Sequence, residues 1–383
     1  MADIPADGFA AQHAAMARPL VSANPVIPGF HPDPSVCQVG QDYYLACSSF
    51  EYWPGVPIFR SRDLRHWEQI GNALERPSQL TLPESVPSSG GIFAPTLRHH
   101  DGRLSLVTTN FWGGGNVLFT ADKAEGPWSE PVLIGWPSHC DPDLAWDSGG
   151  TCYLTVSGIE QARVDTGTGA LLEEPRPLWS GTLGFPEPPH LYEIDGTWYL
   201  MIAEGGTERG HCISIARSDS PQGPFAGCPA NPILTHRSTT DPIQQHPYVR
   251  VRTLTEGAGG LVVRMDERHH YAVEVRDGLV RAQARIGGLR QVIGQQPCPP
   301  GPVVLRLEVL PPDAVALTDP VTVGPDRIRL GLERGDSFTV LAELDGRYLS
   351  TEVTGGFTGR VVGVYAAAGT ASFDWLDYEP LPG

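Results

Sequence analysis

Four stretches of this chain repeat one plan: DYYLACSS (42–49), DGRLSLVTT (101–109), GGTCYLTVSG (149–158) and DGTWYLMIAEGG (195–206). Each opens on a polar or glycine-bearing segment and runs into an apolar strand, usually with an aromatic. Their aligned leucines, Leu45, Leu106, Leu154 and Leu200, are spaced by 61, 48 and 46 residues. Working outward, three of the stretches lead into a second pattern of strand, polar turn and aromatic. These are IFRSRDLRHWEQIG (58–71), VLFTADKAEGPWSEPVLI (117–134) and ISIARSDSPQGPFAGCPANPIL (213–234). Gly126-Pro127-Trp128 and Gly223-Pro224-Phe225 fall at the same place in their units. A unit of roughly 40–50 residues holding several short strands is the signature of a propeller blade. A plain antiparallel sandwich is the competing reading. The recurrence of one strand order along the chain favours the propeller.

After about residue 245 the pattern changes. LVVRMDERHHYAVEVRDGLVRAQARI (261–286) alternates apolar and polar residues around Asp277-Gly278, a hairpin signal. VVLRLEVL (303–310), RIRLGLE (327–333), SFTVLAEL (337–344), GRVVGVYAA (359–367) and ASFDWLDYEP (371–380) continue as strands. The expected class is therefore all-β, a propeller followed by a β-sandwich. The expected division is an N-terminal extension over 1–23, a propeller over 24–243 and a sandwich over 244–383. Residues 8–17, FAAQHAAMAR, are expected to form one short helix.

Composition agrees. Gly (44) and Pro (37) occupy 81 of 383 positions, which excludes a helical bundle, since each is costly inside a helix. The net charge of −17 argues against nucleic acid as a partner. No window approaches the roughly 18 apolar residues of a membrane span. The first 25 residues carry neither a basic nor an apolar leader pattern, so the expected address is cytoplasmic. Seven scattered cysteines without a CxxC pair fit a reducing compartment.

Three carboxylates stand out. Asp33, in GFHPDPSV (29–36), sits between Pro32 and Pro34, which are expected to hold it in stiff, extended backbone. It is either a structural turn acid or a preorganised base. Asp141 lies in HCDPDLAWD (139–147), where Asp141, Asp143 and Asp147 superficially resemble a calcium loop. The loop lacks an EF-hand's glycine and terminal glutamate, so no metal is assigned. Glu187, in FPEPPHLYEI (185–194), is expected to be desolvated among Phe185, Pro186, Pro188 and Tyr192. That would raise its pKa and suit a general acid. The three carboxylates are expected at the starts of three successive blades, converging on the propeller axis. Phe50, Tyr52, Trp53, Phe93, Phe111 and Trp112 are candidates for stacking on a sugar ring or for ordinary packing.

These motifs together resemble glycoside hydrolase family 43, in the β-xylosidase branch that carries a C-terminal, concanavalin-like β-sandwich. The resemblance rests on NPVIPGFHPDPSV, SSGGIFAPTLRHHDG, DPDLAWD, PEPPHLYEIDGTWYLMIAEGGTERGH and CPANPILTHRST in the propeller. RMDERHHY, ELDGRYLSTEV and GGFTGRVVGVYA carry it in the sandwich. It implies an inverting exo-hydrolase releasing xylose from xylo-oligosaccharides, with α-L-arabinofuranosidase activity as the alternative within the family. It implies Asp33 as general base, Asp141 as the pKa-modulating carboxylate and Glu187 as general acid. Phe50, Phe93, Ala94 and Thr207 match positions lining the terminal-sugar pocket, and Phe357 an aromatic reaching over from the sandwich. Inversion at a carboxyl separation of about 6.5–9.5 Å requires no metal or organic cofactor. The resemblance leaves oligomer formation open.

The family pattern breaks at Gln244-Gln245. The fifth blade and first sandwich strands are missing, and with them the family's pocket histidine and a sugar-contacting arginine. His246 is not read as a replacement. The expected consequence is an open ring with apolar faces of the first and fourth blades exposed, and a third functional reading, an inactive carbohydrate-binding protein.

Overall fold

The computed structural model describes residues 25–83, 86–136, 139–206, 210–235, 249–311 and 325–381. The 8–17 helix, Thr207, the Gln244-Gln245 junction and His246 lie outside them. Four antiparallel sheets come first. Blade 1 is β1 (Ser35–Val39), β2 (Asp42–Ala46), β3 (Gly55–Ser61) and β4 (Glu68–Leu74). Blade 2 is β5 (Thr96–His100), β6 (Arg103–Asn110), β7 (Gly115–Ala121) and β8 (Val132–Leu133). Blade 3 is β9 (Asp143–Trp146), β10 (Cys152–Val156), β11 (Glu160–Arg163) and β12 (Arg176–Pro177). Blade 4 is β13 (Glu187–Ile194), β14 (Thr197–Glu204), β15 (Cys212–Ser218), β16 (Ala226–Gly227) and β17 (Leu234–Thr235), the last two pairing with β15.

The aligned leucines all sit on the second strand of a blade and are all buried. Alternate residues of each strand face neighbouring blades, as the strand's period of two requires. Ala46, Ile58 and Leu74 of blade 1 pack on Leu97, Leu106 and Phe119 of blade 2. Val107 and Leu118 pack on Leu144, Leu154 and Val156 of blade 3, and Ala145 and Ile159 pack on Leu191, Leu200 and Ile202 of blade 4. The innermost strands β1, β5, β9 and β13 lie side by side in that order, and among the described residues no comparable packing returns from β13 to β1. Over the described residues the four blades form an open arc.

One expectation about that arc is corrected. The open-side face of blade 1 is not bare: Leu45, Cys47 and Phe59 are buried under Ile27, which precedes β1, and Trp67. The face of blade 4 is less covered. Tyr199, Met201, Ile213 and Ile215 are half-buried, and Ile233 and Leu234 are exposed.

The sandwich has β18 (Val249–Arg264), β19 (His269–Arg276), β20 (Leu279–Ile286), β21 (Leu289–Pro297), β22 (Val303–Leu310), β23 (Arg327–Arg334), β24 (Ser337–Asp345) and β25 (Val361–Pro380). β18 carries β22 along Val249–Thr255 and β19 along Gly260–Arg264, while β25 runs antiparallel beside both halves. One sheet thereby folds into two layers. Val251, Leu261, Val273, Ala282, Leu305 and Leu330 are among the residues sealed between them. Asp277 (φ 52°) and Gly278 (φ 72°) make the tight β19–β20 turn read from the sequence. The two expected terminal strands are a single strand, β25, with pairing irregularities opposite Thr253–Thr255 and Gly257–Gly259. β21 escaped the sequence reading because its side chains are mostly exposed, leaving no apolar alternation.

Candidate active site

Asp33 immediately precedes β1, Asp141 precedes β9, and Glu187 opens β13. The carboxylates therefore come from blades 1, 3 and 4, and not from three successive blades as expected. Blade 2 contributes Phe93 instead. The acids are close enough for their charges to be felt mutually: Asp141 is raised by Glu187 and Asp33, and Glu187 by Asp33.

Each acid has its own environment. Asp33 keeps surface open to water yet is crowded by protein on most sides, as in a concave pocket. This crowding raises its pKa, while the hydroxyl of buried Ser48, donated to Oδ2, and the charge of His211 draw it partly back. Asp33 has φ +53°, so the extended backbone expected ahead of Pro34 is not adopted. Asp141 shares that geometry at φ +54°. Left-handed backbone at non-glycine residues costs on the order of 1–3 kcal/mol and collects at functional sites.

Asp141 is pushed up to about 7, first by desolvation and then by Glu187 and Asp33, against a Cys140 hydrogen bond that lowers it. The Cys140 thiol donates to Asp141 Oδ2 at 3.4 Å and lies 3.4 Å from Ser157 Oγ. Cys140 N donates to Ser157 Oγ at 3.1 Å, and Ser157 N to Cys140 O at 2.9 Å. The adjacent Gly158 N donates to Pro186 O at 3.0 Å, which ties this clamp to the turn carrying Glu187. Glu187 is half-buried and raised by desolvation, with His211 opposing and Asp33 adding to the shift. Phe185 is not the expected apolar cover: it is 77% exposed, at φ +56°. His211 Nδ1 lies 2.9 Å from Gly206 O.

Below the acids runs a buried ionic bolt. Arg98 on β5 donates to Asp143 Oδ1 at 2.5 Å and to Leu144 O at 3.0 Å, and its guanidinium lies 4.6 Å from the ring centroid of Tyr192. Asp143 Oδ2 accepts from Leu191 N at 2.7 Å. Burial alone would raise fully buried Asp143, but Arg98, His190 and the backbone N–H hold its pKa down. The inner strands of blades 2, 3 and 4 are thus pinned together. Asp147 faces away, accepting from Gly149 N, Thr151 N and Tyr153 Oη. The three aspartates of the calcium-like loop therefore serve three different sets of partners.

Phe50, Phe93, Phe111 and Phe357 form an aromatic cluster. Phe50 lies 5.6 Å from Phe93 and 5.9 Å from Phe357, and Phe93 stacks on Phe111 at 5.6 Å. Phe357 comes from the sandwich, on the loop before β25. Its backbone N donates to Ser89 Oγ at 2.8 Å, and Thr358 N to the same oxygen at 3.2 Å. Ser89 N in turn donates to Glu51 Oε2 at 3.0 Å. The loop needs its glycines: a Cβ on Gly356 would lie 2.5 Å from Ser89 Oγ, and one on Gly359 2.9 Å from the Phe30 ring. Ala94 is half-buried beside Phe93.

Sequence reasoning missed Ser48, Ser157, Cys140, His211, Arg98 and Ser89. A signal existed for two of them. Ser48, Thr109 and Ser157 each stand three residues after an aligned leucine, so the repeat places a hydroxyl at the end of the second strand. Ser48 supports Asp33, and Ser157 the loop of Asp141.

An open propeller arc with three coupled carboxylates at its inner strand ends, closed over by a sandwich loop, defines a carbohydrate-active class of architecture. The description "Glycosyl hydrolases family 43" matches residues 22–257, and "Beta xylosidase C-terminal Concanavalin A-like domain" matches 239–379. The chain belongs to glycoside hydrolase family 43. It is 45% identical over 237 residues to a xylosidase/arabinosidase of Butyrivibrio fibrisolvens, covering 57% of this chain and 46% of that protein. It is 42% identical over 233 residues to the non-reducing end alpha-L-arabinofuranosidase BoGH43B of Bacteroides ovatus, covering 59% and 43%. The chain thus matches less than half the length of either relative. The solved structure of Bacteroides ovatus Xyloglucan PUL GH43B superposes with a TM-score of 0.81 at 25% identity, covering 94% of this chain and all of that one.

Proposed function

We propose that this chain is an inverting exo-glycosidase that removes terminal xylose from xylo-oligosaccharides. The observation that carries the reading is the coupling of Asp33, Asp141 and Glu187 beside an aromatic cluster completed from a second domain. In this reading Asp33 accepts a proton from water as the oxygen attacks the anomeric carbon. Glu187, whose protonated form desolvation favours, donates its proton to the departing glycosidic oxygen. Asp141 is proposed as the pKa-modulating carboxylate: its charge is coupled to that of Glu187, so the pair favours one shared proton, while Asp33 raises Glu187 further. Phe50, Phe93, Ala94 and Phe357 shape the terminal-sugar pocket, with Thr207 proposed as a further contact. The scattering of the cysteines without a CxxC pair supports a reducing, cytoplasmic setting.

Two observations keep other readings in play. The relatives' names include arabinosidase activity, which supports an arabinofuranoside substrate. The open arc between blades 4 and 1 supports a binding protein without turnover. Release of 4-nitrophenol from its β-xyloside and α-L-arabinofuranoside, with Glu187→Ala as control, tests all three. Glu187-dependent turnover of the xyloside is expected. Preference for the arabinofuranoside selects the second reading, and turnover no higher than the control's removes both catalytic ones.

A further inference from the structure

The sandwich carries a row of cationic and titratable side chains that the active site does not use. Arg264 on β18 pairs across the ladder with His270 on β19, His270 with Arg285 on β20, and Arg285 with Arg290 on β21. Four adjacent strands therefore place four basic side chains in one line on the outer face of the sheet. Arg285 and Arg290 are like charges directly opposite each other, which destabilises a sheet. This row stands in a chain whose net charge is −17.

The row forms one wall of a cleft of about 570 Å³, within the roughly 300–1,000 Å³ of small-ligand sites. Two residues further along the strands, Gly363 and Val262 make a small-residue floor. The far wall is Tyr365, whose ring lies where a Cβ on Gly260 would stand. Tyr365 Oη donates to Glu274 Oε2 at 2.7 Å and lies 3.4 Å from Gln283 Nε2. Glu274 is thereby engaged away from the arginine row. Glu267 pairs with Arg264 at 2.7 Å, but Arg264 Nε is buried without a hydrogen-bond partner. Among the described residues, neither Arg285 nor Arg290 has an ion-pair partner, and Arg285 Nε reaches only Gly287 O at 3.5 Å. Burial and the charges of Arg285, Arg264 and Arg290 keep His270 below its ordinary pKa, as expected in a positive field.

We infer that this cleft is a binding subsite for a uronic-acid residue on an oligosaccharide. Its carboxylate is held by Arg285 and Arg290, and its ring lies over Gly363 and Val262 beside Tyr365. Guanidinium forks match a carboxylate in two parallel hydrogen bonds, and a bound anion relieves the like-charge row. The small floor and the hydroxyl and amide groups of the far wall suit a hydroxylated ring better than a bare anion. The cleft also lies near the active site. Arg264 and Glu267 act electrostatically on Glu51, which anchors Ser89 under Phe357. The identification of the ligand as a sugar rests on the glycosidase reading above.

Calorimetry on the full chain carrying Glu187→Gln, which cannot consume its ligand, tests the subsite. The probes are a xylotriose bearing one glucuronic-acid branch, unbranched xylotriose and sodium sulfate. The branched sugar is expected to bind at least tenfold tighter than the unbranched one. Adding Arg285→Gln and Arg290→Gln should abolish that preference while melting no lower than the parent. Equal affinity for the two sugars, a preference unchanged by the arginine substitutions, or sulfate competing as well as the branched sugar would each overturn the inference. Arginine-dependent binding of the branched sugar alongside absent turnover of both the xyloside and the arabinofuranoside by the wild type would sustain the cleft and remove the glycosidase reading. Normal turnover without a branch preference would do the reverse.

Discussion

Replacing Asp141 with Asn should make the protein more stable at alkaline pH, and the size of the gain follows from the site. Burial and the neighbouring carboxylates raise Asp141 from 3.8 to about 7. Its folded pKa therefore exceeds its unfolded one, so between about pH 4 and pH 7 the folded chain holds a proton that the unfolded chain has lost. Stability from this group is full below that window, falls as pH rises through it and is flat above it. At about 1.4 kcal/mol per unit, the shift of roughly three units sets an upper limit near 4 kcal/mol. The side chain retains some solvent contact, and screening brings the expected figure to about 2 kcal/mol. A chain of 383 residues has an unfolding entropy of roughly 0.8 kcal/mol/K, so Tm should rise by about 3 °C at pH 8. Asn is neutral at every pH, so the gain should nearly vanish at about pH 3, where Asp141 is protonated in the folded and the unfolded chain alike. Scanning calorimetry of both proteins at the two pH values measures this. A variant no more stable than wild type at pH 8, or one equally stabilised at both pH values, refutes the argument. The same variant should lose activity, because it removes the carboxylate whose charge is coupled to Glu187.

Three further outcomes are expected. Cys140→Ala removes the thiol donor from Asp141, so the Asp141 pKa should rise further and the pH–rate profile should shift alkaline, while Cys140→Ser should restore the wild-type profile; identical profiles for all three proteins would show the clamp to be inert. Arg98→Ala strands the fully buried Asp143, and loss of one partner of such a pair costs about 3–5 kcal/mol, readable as a lowered urea midpoint, whereas a loss below about 1 kcal/mol would show that water reaches Asp143. Phe357→Ala removes an aromatic contact worth about 0.5–1.5 kcal/mol; with the side chain 49% exposed, KM for an aryl xyloside should rise about two- to tenfold with Tm nearly unchanged, and an unaltered KM would place Phe357 outside the substrate pocket.

Strand content was easy to read because half-buried strands enforce a period of two and the repeated unit enforces a period of tens of residues. β22 was bounded at Val303–Leu310 from alternation alone. β21 was invisible because exposed strands carry no such signal. The candidate acids were legible because prolines and aromatics flanked them, but their placement was not. Asp33 needed Ser48, fifteen positions away, and the left-handed backbone shows that local proline preference gave way to long-range contacts.

The sequence by itself determined an all-β chain of four blades and a sandwich, the three acids and the aromatics around them, because each is written in local pattern and spacing. Only the tertiary structure decided which acids face one another and that blade 1 hides its open-side face under Ile27 and Trp67. It alone set Phe357 against Phe50 and joined Arg264, His270, Arg285 and Arg290 into one row. Those outcomes depend on strand register and on packing between residues tens to hundreds of positions apart. A one-residue slip of its strand would turn Arg264, His270, Arg285 or Arg290 to the opposite face of the sheet.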